Sequence, residues 1–250
     1  MTEKIDKYKV QAALVRSFFD AFSHGVIESQ MEDRNEKTTP QSVKKLMLEH
    51  YEHIAPAFFD TMFFPLAAMN YKYEDIAALA REAQQRGDDM MALVRTACGD
   101  EAYYNAMVEE YKRNFSMLLA GRYISNADHL EGYVRKAEDE TEASVDSDRA
   151  IELTVRVVMF AYVRGLRQTG EGARFDRSAH LRQVHPLRGA TLFRLMLDAM
   201  NILLLDEAVD FADAEAADLA SLFLKVCQTQ HNFTVMTNEM DRTYSELMKE

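Results

Sequence analysis

The sequence predicts an all-α protein, and three observations carry that prediction. Apolar residues recur every three to four positions in almost every apolar run, the spacing that gathers side chains on one helix face. Glycine and proline are scarce, 9 and 4 in 250 residues, too few for the frequent turns of an all-β chain. Polar stretches such as EDRNEKTT separate segments of helical length. The expected architecture is a helical bundle of about eight or nine helices in a single domain, residues 1–250. A long Arg-rich loop is expected between the core helices of the C-terminal half. A subdivision into 1–137 and 149–250 across an acidic segment is the alternative.

The first helix, from about Glu3 to Met31, places Tyr8, Val15, Phe18, Phe19, Phe22, Val26 and Ile27 along one side. After the polar stretch, Thr39 before Pro40 and Gln41 is a helix start, since a Thr hydroxyl caps free amides and proline at the first position loses no bond. Leu46, Met47, Tyr51 and Ile54 continue it, and Pro56 and Pro65 are expected to kink or break it. Between Lys72 and Gly99, two shorter helices are separated at Arg86-Gly87-Asp88. A longer pattern from Asp100 carries Tyr103, Tyr104, Met107, Tyr111, Phe115, Leu118 and Leu119 and extends past Gly121 towards Val134.

The run AEDETEASVDSD marks either a surface loop or a new element whose carboxylates sit at the favourable end of a helix dipole. Arg149 to Leu166 forms the next helix. The stretch from Gly165 to Gly189 has no hydrophobic period and reads as the longest loop. Helices from about Ala190 to Phe211 and from Ala214 to Met248 finish the chain. In the last, Leu219, Val226, Phe233, Met240 and Leu247 recur every seven residues, with Leu222, Met236 and Tyr244 nearby, a heptad-like stripe for an oligomer or partner. The only internal similarity read from the sequence is the pair Ser17-Phe-Phe-Asp-Ala-Phe and Ala57-Phe-Phe-Asp-Thr-Met. Its flanks do not match, so no repeat is expected.

Composition excludes several classes of function. A net charge of -12 and a pI near 5.1 place the chain among acidic proteins, and Cys98 and Cys227, far apart and outside any Cys-x-x-Cys pair, argue against a disulfide framework. No signal-type apolar run follows the N-terminus, so a cytoplasmic location is expected. The most apolar segments, Ile151 to Leu166 and Leu192 to Leu205, are interrupted by charges and read as core helices instead of membrane spans.

The strongest departure from composition lies between Arg164 and Arg194. Arg164, Arg167, Arg174, Arg177, Arg182, Arg188 and Arg194 face only Glu171 and Asp176, a net charge of +5 in a chain of -12. The planar guanidinium suits bidentate contact with carboxylates and phosphates, and His180 and His185 add charge as pH falls. The segment reads as a site for an acidic protein surface, an anionic ligand or a nucleic-acid backbone. The competing reading pairs these arginines with the chain's own carboxylates.

Other constellations are incomplete. Glu49, His50, Glu52 and His53 cluster in LEHYEH, and Glu28 follows His24 by four, but no histidine has a Glu three residues before it. The Glu-x-x-His of di-iron bundles is therefore absent, and no metal or cofactor is expected. Asp88-Asp89 and Asp206, Asp210 and Asp213 read as caps and surface groups before a Mg²⁺ anchor. The hairpin around Ile76 to Cys98 resembles a helix-turn-helix only in outline, because its second helix opens on two carboxylates that a duplex would repel. No Gly-x-Ser-x-Gly occurs, and isolated cysteines in apolar helices are small buried hydrophobes. With no complete catalytic set, the reading leans away from an enzyme. It favours a non-enzymatic binding or adaptor protein in a larger assembly, engaging an anionic partner through Arg164, Arg167, Arg174, Arg177, His180, Arg182, His185 and Arg188. The alternatives are a helical enzyme or sensor with an arginine anion clamp, and a binder of nucleic-acid backbone.

Overall fold

A computed structural model describes residues 3–34, 39–120, 144–168, 176–184, 190–205 and 219–249. Among them lie eleven helices, not eight or nine: α1 (Lys7–Arg34), α2 (Pro40–Glu49), α3 (Tyr51–Asn70), α4 (Tyr73–Arg86), α5 (Met90–Ala97), α6 (Glu101–Leu119), α7 (Ser147–Leu166), α8 (Arg177–Gln183), α9 (Ala190–Leu204), α10 (Leu219–Cys227) and α11 (Gln230–Leu247). Two three-residue strands, β1 (Lys4–Asp6) and β2 (Ser144–Asp146), pair antiparallel with Ile5 opposite Val145. None of the helices among the described residues is long and apolar enough to cross a membrane.

The extra helices have local causes. The expected final helix is divided because Gln228 takes a left-handed φ of 63° and the Thr229 side chain then caps α11 by accepting from Asn232. The expected Arg-rich loop contains α8, which starts where Asp176 accepts from the Ala179 amide. The break after α2 falls at His50, while α3 runs through both Pro56 and Pro65. Thr39 caps α2 as its sequence predicts, with Ser42 completing a reciprocal pair of bonds. The acidic run ends in β2 and the first turn of α7, where Asp148 meets the positive end of the helix dipole.

The fold is built on a repeat that the sequence reading missed. Gly25 and Gly165 are 140 positions apart, as are Ile5 and Val145, Asp6 and Asp146, and Arg16 and Arg156. Ile5 faces Val145 at the ribbon, and twenty residues on Gly25 touches Gly165, so α1 and α7 run side by side in the same direction. A pseudo-twofold axis therefore lies between them. A Cβ added at Gly25 would lie 2.1 Å from the Tyr162 carbonyl oxygen and 2.9 Å from the Leu166 amide. One added at Gly165 would lie 2.2 Å from the Phe22 carbonyl oxygen and 2.8 Å from the Val26 amide, the same contacts reflected through the axis.

The outer helices repeat as well, with a separation of 129. Cys98, Met107, Glu110, Arg113, Ser116 and Leu118 recur as Cys227, Met236, Glu239, Arg242, Ser245 and Leu247. Around the central pair, α1 packs on α6 and α9, and α7 packs on α11 and α3, so each half completes the other. One apolar cluster runs through both, joining Phe18, Phe58 and Met107 to Ile151, Met196 and Met236. Because α1 is surrounded, it is buried on every side from Val10 to Ser23.

One buried and one partly buried ion pair occupy equivalent places. Arg16 reaches from α1 to Glu110 on α6 at 2.6 Å, and Arg156 reaches from α7 to Glu239 on α11 at 3.2 Å. Each glutamate is also met by the arginine one turn on, Arg113 or Arg242, and by the residue at the fourth position, Asn114 or Thr243. Satisfying a buried carboxylate three times over is what makes its burial tolerable.

Candidate functional site

On one side of the axis the interior turns polar. Asp20, His24 and Glu28 lie at four-residue spacing on α1 and so share a face. On α9, Thr191, Arg194 and Asp198 lie at three- and four-residue spacing, and Thr191 bonds to Glu28. Tyr162 from α7 and His180 from α8 close the end of this stripe. His180 is buried, with Nε2 2.7 Å from Glu28 Oε2 and 2.8 Å from the Tyr162 hydroxyl, which itself donates to the same carboxylate oxygen. Burial pushes the Glu28 carboxyl up, but the bonds from His180, Tyr162 and Thr191 outweigh it and hold the group below the usual carboxylate range. An ionised Glu28 is acceptor-only, so the proton of the 2.7 Å contact belongs to His180 Nε2.

The other end of the stripe is less well satisfied. His24 Nδ1 lies 3.0 Å from the Asp20 carbonyl oxygen and 3.3 Å from its carboxylate. Burial lowers the His24 pKa, while the charge and hydrogen bonds of Asp20 and the charge of Glu28 raise it further, to about 9. Asp198 Oδ1 is buried with no hydrogen-bond partner. Burial, then the nearby Asp20, push the Asp198 carboxyl up to about 8, against the opposing pull of His24 and Arg194.

This polarity breaks the repeat. The positions 140 residues from Asp20, His24, Glu28 and Tyr162 hold Phe160, Arg164, Gln168 and Phe22. Four residues after its capping residue, α8 carries His180, where α2 carries the buried Val43. The equivalent places hold two phenylalanines, an arginine and a glutamine, so the fold itself does not require a cluster of carboxylates and histidines there.

Of the expected anion-site residues, Arg164 pairs with Asp60 on α3 and His180 with Glu28, groups of this same chain. Arg167 and Arg182 are exposed. Arg177 opens α8, and Arg174, His185 and Arg188 lie outside the described residues. The heptad-like stripe lies in this chain's own core: Val226, Met236, Met240 and Leu247 are buried, and Leu222, Phe233 and Tyr244 pack against them. Leu219 opens α10. A partner of the last helix would have to use its other faces.

The remaining candidates have structural roles. Asp89 caps α5, and Asp88 pairs with Arg86. His50 ends α2, and Glu52 and His53 are exposed at the start of α3. Asp206, Asp210 and Asp213 lie outside the described residues. Among the described residues no group of three or more His, Cys, Asp or Glu is placed to hold a metal ion. Burial pushes both thiols, Cys98 and Cys227, up to about 12, which leaves no thiolate nucleophile at neutral pH. No protein-family model, no curated protein and no solved structure matches this chain.

The signal for the polar stripe was present in the sequence as His24 and Glu28 four residues apart. What it lacked was the partners, because Tyr162, His180 and Asp198 come from three other helices and no local spacing announces them.

Proposed function

We propose that this chain is a non-enzymatic binding or adaptor protein, a subunit of a larger assembly, that engages an acidic protein partner through the segment from Arg164 to Arg194. One observation carries the reading. His180, near the middle of that segment, is buried against Glu28, while Arg182, two residues on, is exposed. A short helix anchored from beneath and carrying the Arg182 cation outside is ordered before any partner arrives, which lowers the entropy lost on binding. Guanidinium forks favour carboxylates on the facing surface. The histidine and tyrosine nearest the segment make their hydrogen bonds to Glu28, which supports binding over acid-base chemistry at that point.

The test is fluorescence anisotropy of labelled poly-L-glutamate titrated with the whole protein. The wild type is expected to bind, more weakly as salt screens the contact. Replacing Arg174, Arg177, Arg182 and Arg188 together by Ala should weaken binding about tenfold or more, the loss of a few exposed charge contacts, with the melting temperature unchanged. Equal binding by that variant overturns the proposal. Markedly tighter binding of a single-stranded oligonucleotide in the same assay would replace it with the nucleic-acid reading.

A further inference from the structure

We infer that the carboxyl groups of Asp20 and Asp198, together with His24, form a proton-operated clamp that seats α9 on α1 and sets how firmly the Arg-rich segment is held. The inference rests on the proposed function for its consequence, since α9 carries the end of that segment. Its physical basis is independent.

The geometry is that of an acid pair short of donors. Lys9 on α1 donates to the Leu205 carbonyl at the end of α9, and Thr191 near its start bonds to Glu28, so the two helices run antiparallel and helical spacing sets Asp198 opposite Asp20. Asp198 Oδ1 is buried there without a hydrogen-bond partner, and the charge of Asp20 disfavours its ionisation. Among the described residues, the charged groups around the pair are His24 and Glu28 from α1, Arg194 from α9, and, through Glu28, Tyr162 from α7 and His180 from α8. With Asp198 protonated, the carboxylates of Asp20 and Glu28 face the cations His24 and Arg194 in balance. Removing that proton adds a third negative charge at an atom that no donor meets, and the repulsion acts between α1 and α9.

The second observation is the broken repeat. Across the axis, Phe160 and Arg164 replace Asp20 and His24, and Arg164 pairs with Asp60 on α3 through Nη2 while its Nε is buried without a hydrogen-bond partner. The equivalent helix junction thus carries an ion pair in place of two acids, so the acid pair is a feature of one junction and not a demand of the fold.

A seated α9 keeps the Asp198 proton, and an α9 displaced into water releases it. The equilibrium for opening must then grow with pH by about tenfold per unit wherever the closed form holds one more proton than the open one. For Asp198, raised from 3.8 to about 8, that range includes pH 5 to 6.5, below the range in which His24, raised from 6.5, contributes.

The experiment is hydrogen exchange by mass spectrometry on the full chain from pH 5 to 6.5, with rates corrected for intrinsic chemistry. Peptides from α9 are followed, and peptides from α6 serve as the control. In the wild type the α9 opening constant should rise about tenfold per pH unit, while D198N should be flat. Should D198N fail to fold, D20N replaces it. Removing the neighbouring charge should make the rise level off at a lower pH than in the wild type. A flat wild type, or a variant that follows the wild-type curve, overturns the clamp. Poly-L-glutamate binding is measured alongside. Binding without the pH signature rejects the clamp and leaves the proposed function standing. The signature without binding upholds the clamp and rejects that function.

Discussion

Gly25 on α1 and Gly165 on α7 meet across the pseudo-twofold axis with no room for a side chain on either. The obstacle to a Cβ at each is a backbone carbonyl oxygen at 2.1 or 2.2 Å, which no change of rotamer can move. G25A and G165A should each separate the two central helices and cost about 3 kcal/mol, the upper end of ordinary overpacking. Because the two sites are equivalent, the two losses should agree closely. Urea denaturation of both variants checks this, and a stable G165A beside an unstable G25A would argue that the axis is not an equal partnership.

The ion pairs extend the same logic outward. R16M leaves the buried Glu110 with Arg113 and Asn114, and R156M leaves Glu239 with Arg242 and Thr243. Breaking one partner of a buried pair costs about 3–5 kcal/mol; the remaining arginine should hold the R16M loss near the lower figure, and R156M should cost less because Arg156 is partly exposed and also pairs with the exposed Glu246. The double variant R16M/E110L should recover part of the loss, since no buried charge remains and Arg113, partly exposed, can turn to water. Equilibrium unfolding of the single and double variants measures the recovery. A double variant less stable than R16M would show that the pair contributes more than its own desolvation cost.

Much of this architecture was readable from the sequence, and the misses share a physical cause. Helices were found wherever periodicity was long, as in α1, α6 and α7, and wherever a cap was explicit, as at Thr39. Helix α8 escaped notice because seven residues give barely two turns, too few for a period to register. The break before α11 was missed because Gln228 adopts a left-handed conformation usually left to glycine, where the equivalent position in the other half is Gly99. The repeat was missed because its matches, such as Arg16 with Arg156 and Glu110 with Glu239, are scattered at two different separations. They became visible once contacts paired them. The polar stripe shows the same limit, since Asp198 and Asp20 are ordinary carboxylates in the sequence and become an acid pair only where α9 crosses α1.

That acid pair makes stability depend on pH in a direction opposite to the familiar acid denaturation. Asp198 is raised from 3.8 to about 8 by burial and by Asp20, so between those values the folded chain holds a proton that the unfolded chain has lost. Stability therefore falls as pH rises through that range. His24 is raised from 6.5 to about 9, Asp20 outweighing its burial, and its stabilising proton is lost over the interval between. Each group contributes a slope of up to about 1.4 kcal/mol per pH unit within its window. Chemical denaturation at pH 6, 7, 8 and 9 should give a steady decline for the wild type, to which the buried thiols of Cys98 and Cys227, raised from 9.0 to about 12, add near pH 9. D198N removes the first contribution and keeps the second, so it should decline less and be the more stable protein at pH 9. If the wild type holds constant stability from pH 6 to 9, the two groups do not bind their protons in the folded state.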